Sequence, residues 1–444
     1  MSAGSGARLF GTDGIRGLAF GEVLTEDLTR RVAAAAAAEL LAEQLGRGER
    51  PVVVIGRDTR PSGPQLEDAA VLGFTAAGCD VVRLGVLPTP AVAYEVQRQA
   101  ALGLMVSASH NPAPDNGLKL FGAGGGKLTD AQEDAIEARL AQPPASASSG
   151  SDITSSYIGV DYAGHLLATV GSLAGLTVVV DGAQGAASHV APDVYRAAGA
   201  RVHAISCDAD GPHINQGCGA THPQGLARAV VEHGADLGIA HDGDADRCIV
   251  VDANGVVLSG DQVLGLLALA RKDNGLPASE VLVATVMSNL GLTQAMEAAG
   301  ISVVRTPVGD RYVLAAMLAG GHQLGGEQSG HVVMLEHATT GDGLLTALQV
   351  MDRMARTGRQ LAYLASAVEL LPQVLVNVKA ARERAHADDV VAAVSAEEAA
   401  LAGAGRVLLR PSGTEPLVRV MVEAPTQEQA AQVAQRLASV VSGL

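Results

Sequence analysis

The sequence predicts an α/β protein: three successive α/β domains with mixed sheets, followed by a smaller C-terminal α+β domain. Three observations carry this: a weak internal repeat, an alternation of β-branched runs with helical periodicity, and a different element order beyond residue 372. The repeat comes first. Ala76-Ala77-Gly78-Cys79-Asp80-Val81-Val82 recurs as Ala197-Ala198-Gly199-Ala200-Arg201-Val202 and as Ala298-Ala299-Gly300-Ile301-Ser302-Val303-Val304. In each copy an Ala-rich helix ends at a glycine and a β-branched strand begins. Glycine suits the left-handed residue after a helix because it has no Cβ to clash. The three glycines lie 121 and 101 residues apart, domain spacing rather than solenoid spacing. Short β-branched strands are expected at 51–56, 177–180 and 281–286, each followed by helical periodicity, as in layered sheets. Residues 142–156, rich in Pro, Ala and Ser, read as the first linker. A second break falls at 252–261, where Asn254-Gly255 signals a tight turn, and a third at 358–372. The remainder reads strand (374–378), helix (387–401), strand (406–409), strand (418–422), helix (428–441), with an antiparallel-looking sheet. The expected domains are 1–150, 151–255, 256–368 and 369–444.

Composition excludes several functions. Hydrophobic residues make up 48% of the 444, enough for sizeable cores, but aromatics are only 2%, so Ala, Val and Leu must fill the interior. A net charge of −16 and few stacking faces argue against nucleic-acid binding. No segment approaches the ~20 apolar residues of a membrane span, and residues 1–16 lack the apolar stretch of a signal peptide. Cys79, Cys207, Cys218 and Cys248 show no CxxC spacing and read as reduced thiols. A cytoplasmic protein without membrane or nucleic-acid partners is expected.

The sharpest motif is His241-Asp242-Gly243-Asp244-Ala245-Asp246-Arg247, which follows the apolar run 237–240. Three convergent carboxylates repel strongly unless a cation joins them, and oxygen-only donors favour a hard ion such as Mg²⁺. A calcium hand fails, because Arg247 stands at its glycine position and Ala253 at its bidentate glutamate position. A haloacid-dehalogenase motif fails at Asp246. The second motif is Ser107-Ala108-Ser109-His110-Asn111-Pro112, continuing to Asp115-Asn116-Gly117-Leu118-Lys119, at the end of an apolar strand. A loop hydroxyl beside basic groups can act as nucleophile or phosphoryl carrier; GxSxG is absent. A phosphoserine would also supply the dianion Mg²⁺ prefers.

Further loops have the character of phosphate cradles. Arg410-Pro411-Ser412-Gly413-Thr414-Glu415-Pro416 with Arg419 gathers guanidiniums, hydroxyls and flexible backbone. Residues 10–17, which include Arg16, and Gly56-Arg57-Asp58-Thr59-Arg60 look similar. The Gly-rich run 122–127 lacks Walker A spacing and is set aside. Gly325-Gly326-Glu327-Gln328-Ser329-Gly330-His331 offers Glu327 and Ser329 to sugar hydroxyls or an ammonium, with Arg311 upstream.

Taken in order, the Phe-Gly-Thr-Asp-Gly-Ile-Arg-Gly opening at Phe10, the Ser107–Pro112 loop, the Asp242–Arg247 loop, Gly326–His331 and Arg410–Pro416 closely resemble the α-D-phosphohexomutase superfamily, in particular its glucosamine-phosphate branch. The segments at 308–313 and 339–350 match as well, so the resemblance spans residues 10–422. It implies four domains around a central cleft, and reversible conversion of glucosamine 6-phosphate to glucosamine 1-phosphate for amino-sugar nucleotide and cell-wall precursor synthesis. It implies that Ser109 is the phosphoserine; that Asp242, Asp244 and Asp246 bind one Mg²⁺ together with the Ser109 phosphate; and that His110 and Lys119 assist proton transfer and charge stabilisation, with Arg16 and Arg247 beside the phosphoryl group. Glu327 and Ser329 would contact the sugar. Arg410, Ser412, Gly413, Thr414 and Arg419 would hold the phosphate not being transferred. A sugar 1,6-bisphosphate is the implied activator, a phosphosugar the small-molecule partner, and a homodimer an assembly that the residues do not specify. The one departure is the unusually Gly-rich stretch 122–126. The alternatives are a phosphomannomutase/phosphoglucomutase and, from another class, a non-catalytic sugar-phosphate sensor.

Overall fold

The computed structural model describes residues 8–141, 150–154, 158–278, 280–411 and 416–443. The expected linker at 142–156 and the candidates Ser412, Gly413 and Thr414 therefore fall largely or wholly outside the described residues. Two compact units emerge: residues 1–287 with 301–366, and residues 288–300 with 367–444.

The larger unit holds three mixed sheets. The first runs β1 (Ile15–Leu18), β5 (Asp115–Phe121), β4 (Leu102–Val106), β2 (Val52–Arg57), β3 (Asp80–Val86), β6 (Asp152–Thr154). The second is ordered β10 (Ile249–Asp252), β9 (Leu237–Ala240), β7 (Thr177–Asp181), β8 (Arg201–Ile205). The third is ordered β12 (Ser302–Thr306), β11 (Val281–Thr285), β13 (Leu324–Gly326), β14 (Val332–Met334). A single plan underlies all three. The founding strand (β2, β7 or β11) pairs in parallel with the next strand on one side and with the third on the other, and the fourth returns antiparallel beside the third. Gly78, Gly199 and Gly300 stand just before the second strand of each plan with φ of 96°, 105° and 69°, so the faint sequence repeat marks one joint used three times. The loop between third and fourth strands is residues 107–114 in the first plan, 241–248 in the second and 327–331 in the third. Each of the three site motifs thus leaves the C-terminal end of an equivalent parallel strand, where open α/β sheets present their ligand-binding groups.

Small residues explain how an aromatic-poor chain packs. The helix Glu26–Leu40, capped by the Thr25 hydroxyl accepting from Leu28 N, buries Ala33 to Ala37. It crosses the helix Gly63–Ala76 at Gly73, where a Cβ would lie 2.2 Å from Arg30 O. Interhelical distance follows the side chains at the contact, and here there is almost none.

In the smaller unit, β15 (Gln373–Lys379), β17 (Leu417–Glu423) and β16 (Arg406–Pro411) form an antiparallel sheet in that order. Val418, Val420 and Val422 face the core; on the opposite face Arg419 is exposed while Met421 and Glu423 are buried, so only the C-terminal half of the strand is covered on both faces. The helices Asp388–Leu401 and Gln427–Ser442 contribute to its core through Val390, Val433 and Leu437. No helix among the described residues is long and apolar enough to cross a membrane.

Candidate active site

The site grows from the two loops at the ends of β4 and β9. Ser109 has φ +53° and is buried, a strained conformation that the surroundings must enforce. Arg60 is the enforcer. It is fully buried, pairs its Nε with Asp58 Oδ2 at 2.9 Å, and donates to the carbonyls of Ser109 (2.9 Å), Asn111 (2.7 Å), Pro112 and Asp115 (2.8 Å). Asn215 Nδ2 adds a donor to Ser109 O at 2.9 Å. Ser107, the neighbouring hydroxyl, is committed elsewhere: its Oγ donates to Asp58 Oδ2 at 2.7 Å and accepts from Ser109 N at 2.9 Å. Only Ser109 presents a hydroxyl forward. Its Oγ donates to Asp242 Oδ2 at 2.6 Å and lies 3.3 Å from His110 Nδ1.

Residues 56–60 therefore need correction. They are not a phosphate cradle: Arg60 is sealed against Asp58, and Arg57 pairs with Glu67 at 2.9 Å. A buried guanidinium must be paired, as that of Arg60 is, and both it and the half-buried Arg57 are spent on scaffolding. We expect Arg60→Met to cost about 3–5 kcal/mol, because it strands the buried Asp58 carboxylate and several carbonyls; a fall in the urea midpoint checks this.

The aspartate loop is buried except at Arg247, which is half-buried. Asp242, Asp244 and Asp246 bring carboxylate oxygens within 4.8 Å of one another. Asp244 Oδ2 accepts from Thr89 Oγ1 (2.6 Å) and Lys119 Nζ (2.7 Å), and Lys119 also reaches Asp246 Oδ2 at 3.2 Å. Asp244 Oδ1 and Asp246 Oδ1 are buried with no hydrogen-bond partner among the described residues. Three converging carboxylates that offer oxygen donors only suit a hard divalent cation such as Mg²⁺. Burial, then repulsion from Asp246 and Asp244, pushes the Asp242 carboxyl up to about 7. The burial of Asp246 works the same way but is outweighed by Lys119, His331 and Arg247, which hold it well below the usual range.

Two devices shape this loop. His241 Nδ1 lies 3.0 Å from Arg247 O and Nε2 lies 2.9 Å from Tyr195 Oη. A carbonyl only accepts, so Nδ1 carries the proton and the ring ties the loop's two ends together. Gly243 lets the loops touch, since a Cβ there would fall 2.6 Å from Ser109 O and 2.8 Å from Ile214 Cδ1. Gly243→Ala should displace Ser109 from the carboxylates and cut kcat about 10²-fold, the usual effect of an ångström-scale misplacement; steady-state kinetics read it.

Cations complete the site. Lys119, 2% exposed on β5, donates to Asp13, Asp244 and Asp246. Burial opposes its charge, but the three carboxylates prevail and raise it well above the normal range, so it is an ammonium. His110 is the reverse: burial, then Arg247 and Arg16, push its imidazole down to about 4, leaving it neutral. Arg16 pairs with Asp13 and donates to Ala108 O at 3.4 Å. The Nε atoms of Arg16 and Arg247 are both buried without a hydrogen-bond acceptor among the described residues, two donors free for an anion. Glu327 and Ser329 lie on the equivalent loop of the third plan, stitched to the aspartate loop by Cys248 N donating to Gly330 O at 3.0 Å. Glu327 Oε1 accepts from Gly309 N at 2.9 Å and Oε2 from Ser329 Oγ at 3.4 Å.

Ser109, His110, Lys119, Arg16, Arg247, the aspartates, Glu327 and Ser329 thus belong to one unit. Arg410 and Arg419 belong to the other, as direct cross-strand partners of β16 and β17. Like charges directly opposite are destabilising, and neither has an acidic partner among the described residues. The sequence gives no role to Thr89, Asn215 or Tyr195, isolated polar residues outside any compact motif, nor to Lys127 and Asp310, which lie within the segments 122–127 and 308–313. Asp13 was quoted within its motif without a function.

A serine hydroxyl beside a buried aspartate triad that could hold a metal, in a unit of three like sheets, fits the class of phosphohexomutases, and the other unit holds a small antiparallel domain. The chain belongs to the phosphoglucomutase/phosphomannomutase family: models of its alpha/beta/alpha domains I, II and III and of its C-terminal domain match residues 7–146, 161–255, 259–370 and 375–440. Within it, the chain is 57% identical to a phosphoglucosamine mutase of Parafrankia sp. (strain EAN1pec), over 98% of this chain and 99% of that one. It is 58% identical to that of Frankia casuarinae, over 98% of each. The crystal structure of a phosphoglucomutase/phosphomannomutase family protein from Burkholderia thailandensis superimposes with a TM-score of 0.82 at 25% identity, covering 98% of this chain and 97% of that chain.

Proposed function

We propose that this chain interconverts glucosamine 6-phosphate and glucosamine 1-phosphate, with Ser109 as phosphoryl carrier and a bound 1,6-bisphosphate as intermediate. The observation that carries the reading is the Ser109 hydroxyl 2.6 Å from a buried aspartate triad in which two oxygens make no hydrogen bond among the described residues. The glucosamine specificity rests on the identity to phosphoglucosamine mutases.

Phosphorylated Ser109 gives its phosphoryl group to the free sugar hydroxyl: the Oγ–P bond breaks, the sugar O–P bond forms, and the hydroxyl proton passes by way of His110 to the released serine Oγ. The bisphosphate turns end for end, and Ser109 Oγ attacks the other phosphorus. Neutral His110, 3.3 Å from Oγ, accepts the serine proton in that step and returns it in the reverse. Lys119, held as an ammonium, together with Arg16 and Arg247, neutralises charge on the phosphoryl oxygens. Asp242, Asp244 and Asp246 with the Ser109 phosphate would hold Mg²⁺, which supplies Lewis-acid stabilisation of those oxygens when bound. Glu327 and Ser329 contact the sugar. Arg410, Ser412, Gly413, Thr414 and Arg419 hold the phosphate not being transferred. We assign the domains as 1–150, 151–255, 256–368 and 369–444, and place the enzyme in the cytoplasm, with a homodimer as the assembly to test.

A coupled assay with glucosamine 6-phosphate and Mg²⁺, with and without a sugar bisphosphate primer, tests the reading. Glucosamine 6-phosphate should be preferred over mannose and glucose 6-phosphates, and the primer should shorten any lag; a chain inert toward all three sugars sinks it. Arg410→Ala should raise KM about 10–100-fold, the worth of one charge-assisted contact, with a smaller change in kcat.

A further inference from the structure

An alternating ring of charges flanks the aspartate triad. Asp246 Oδ2 lies 3.2 Å from Lys119 Nζ, and Lys119 Nζ lies 2.9 Å from Asp13 Oδ2. Asp13 Oδ1 lies 2.6 Å from Lys127 Nζ, which also pairs with Asp310 Oδ2. Asp310 Oδ2 lies 3.7 Å from His331 Nε2, and His331 Nδ1 lies 3.7 Å from Asp246 Oδ1, closing the circuit. The members come from all three sheet plans: Asp13, Lys119 and Lys127 from the first, Asp246 from the second, Asp310 and His331 from the third. Lys127 is delivered by the Gly-rich run 122–126, which lacks Walker A spacing. That run turns back on itself, with Gly122 N donating to Gly126 O at 2.9 Å and Phe121 bridging Lys127. Gly125, with φ +77°, packs where a Cβ would lie 2.3 Å from Ala93 O. The glycines fold the chain tightly enough to bring a lysine, 13% exposed at its side chain, into the ring.

We infer that Lys127 is a positioning residue for phosphoryl transfer, acting through Asp13 on Lys119; the inference rests on the mutase reading above. Lys119 Nζ has three protons and three carboxylate acceptors, Asp13, Asp244 and Asp246. Its place depends on how strongly Asp13 pulls. Lys127 occupies Asp13 Oδ1 and limits that pull. Without Lys127, Asp13 Oδ1 loses its partner, only Arg16 and Lys119 remain against the carboxylate through Oδ2, and Lys119 retreats from Asp244 and Asp246 toward it. Two consequences follow with opposite signs. The ammonium competes less with a divalent cation for the triad, so the cation binds more tightly. The same ammonium no longer meets the phosphoryl oxygens, so turnover falls. Asp310 acts as a counterweight: removing its charge drives Lys127 wholly onto Asp13 and pushes Lys119 further onto the triad.

The test titrates MgCl₂ into the full-length chain by calorimetry and measures steady-state turnover of glucosamine 6-phosphate. Lys127→Met should tighten Mg²⁺ about threefold or more, while kcat at saturating Mg²⁺ falls about tenfold and KM for the sugar changes little. Lys127→Arg, which keeps the charge, should recover most of kcat. Asp310→Asn should weaken Mg²⁺, the opposite direction to Lys127→Met, and this pair of signs is what a merely structural role does not produce. Loss of Mg²⁺ affinity and kcat together in Lys127→Met, or wild-type kcat in that variant, overturns the inference. If Lys127→Met does not fold, Asp310→Asn and Lys127→Arg decide it: unchanged Mg²⁺ affinity in the first, or kcat no better than background in the second, overturns it. A wild-type chain that leaves glucosamine 6-phosphate unconverted overturns the mutase reading instead, and the calorimetric signs still decide the ring.

Discussion

Ser109→Ala is expected to abolish interconversion of glucosamine phosphates, by about 10⁴-fold or more, since removing a covalent carrier leaves only binding and electrostatic residues. The fold should survive. Ser109 Oγ makes one strong hydrogen bond, to Asp242, and the loop is held by Arg60 and Asn215 through its carbonyls, which alanine retains. The unfolding midpoint should stay near that of the wild type, and intact-mass measurement should show a phosphate on the wild type that the variant lacks. Ser107 will not substitute as carrier, because its hydroxyl is locked to Asp58 and Ser109 N. Measurable turnover in Ser109→Ala would refute the carrier assignment.

Asp242→Asn should show function and stability moving apart. One of the three carboxylates proposed to hold Mg²⁺ becomes neutral, so Mg²⁺ affinity should drop and kcat fall about 10²–10³-fold, the scale of losing one group that stabilises transition-state charge. Yet the metal-free variant should unfold at a higher temperature than the metal-free wild type. The cause is visible in the Asp242 carboxyl: burial and two neighbouring carboxylates raise it to about 7. A buried charge under repulsion is held against its own preference, a common cost of functional sites. The sign is worked out by linkage. A carboxyl raised in the folded state binds more protons than in the unfolded chain, so its ionisation removes stability as pH rises from about 4 to about 7. The stabilising effect of the substitution should therefore be larger at pH 8 than at pH 5. Calorimetric unfolding at both values, without metal, checks it.

Much of the architecture was legible. The strands expected at 281–286 and 418–422 appear as Val281–Thr285 and Leu417–Glu423, and the helix expected at 387–401 as Asp388–Leu401. These elements carry strong periodicity and clear stops, and their ends are set by the same glycines and β-branched runs that revealed them. The aspartate loop and serine loop were legible for a related reason. Their functional groups lie within a few residues of one another, so the chain itself concentrates the chemistry before any packing occurs.

The error over Arg57 and Arg60 shows where such reading stops. A guanidinium in a Gly/Thr loop has the same composition whether it meets a phosphate or a buried aspartate. Only the burial of Arg60 against Asp58 and four carbonyls of the serine loop separates the two. The same holds for Gly122–Lys127, whose glycines signal a tight turn but not that the turn carries a lysine to Asp13 and Asp310.

What the amino-acid order by itself determined was everything short-ranged: the threefold repeated joint, the order of strands and helices, the two loops that hold the reacting groups, and the oxygen-only donor set. What tertiary structure alone decided was partnership. Lys119 meets Asp244 across 125 positions, Thr89 meets Asp244 across 155, and Asn215 meets Ser109 across 106. Contacts at such separations come from how whole sheets and helices pack, a sum of many weak dispersion and burial contributions that no local pattern encodes.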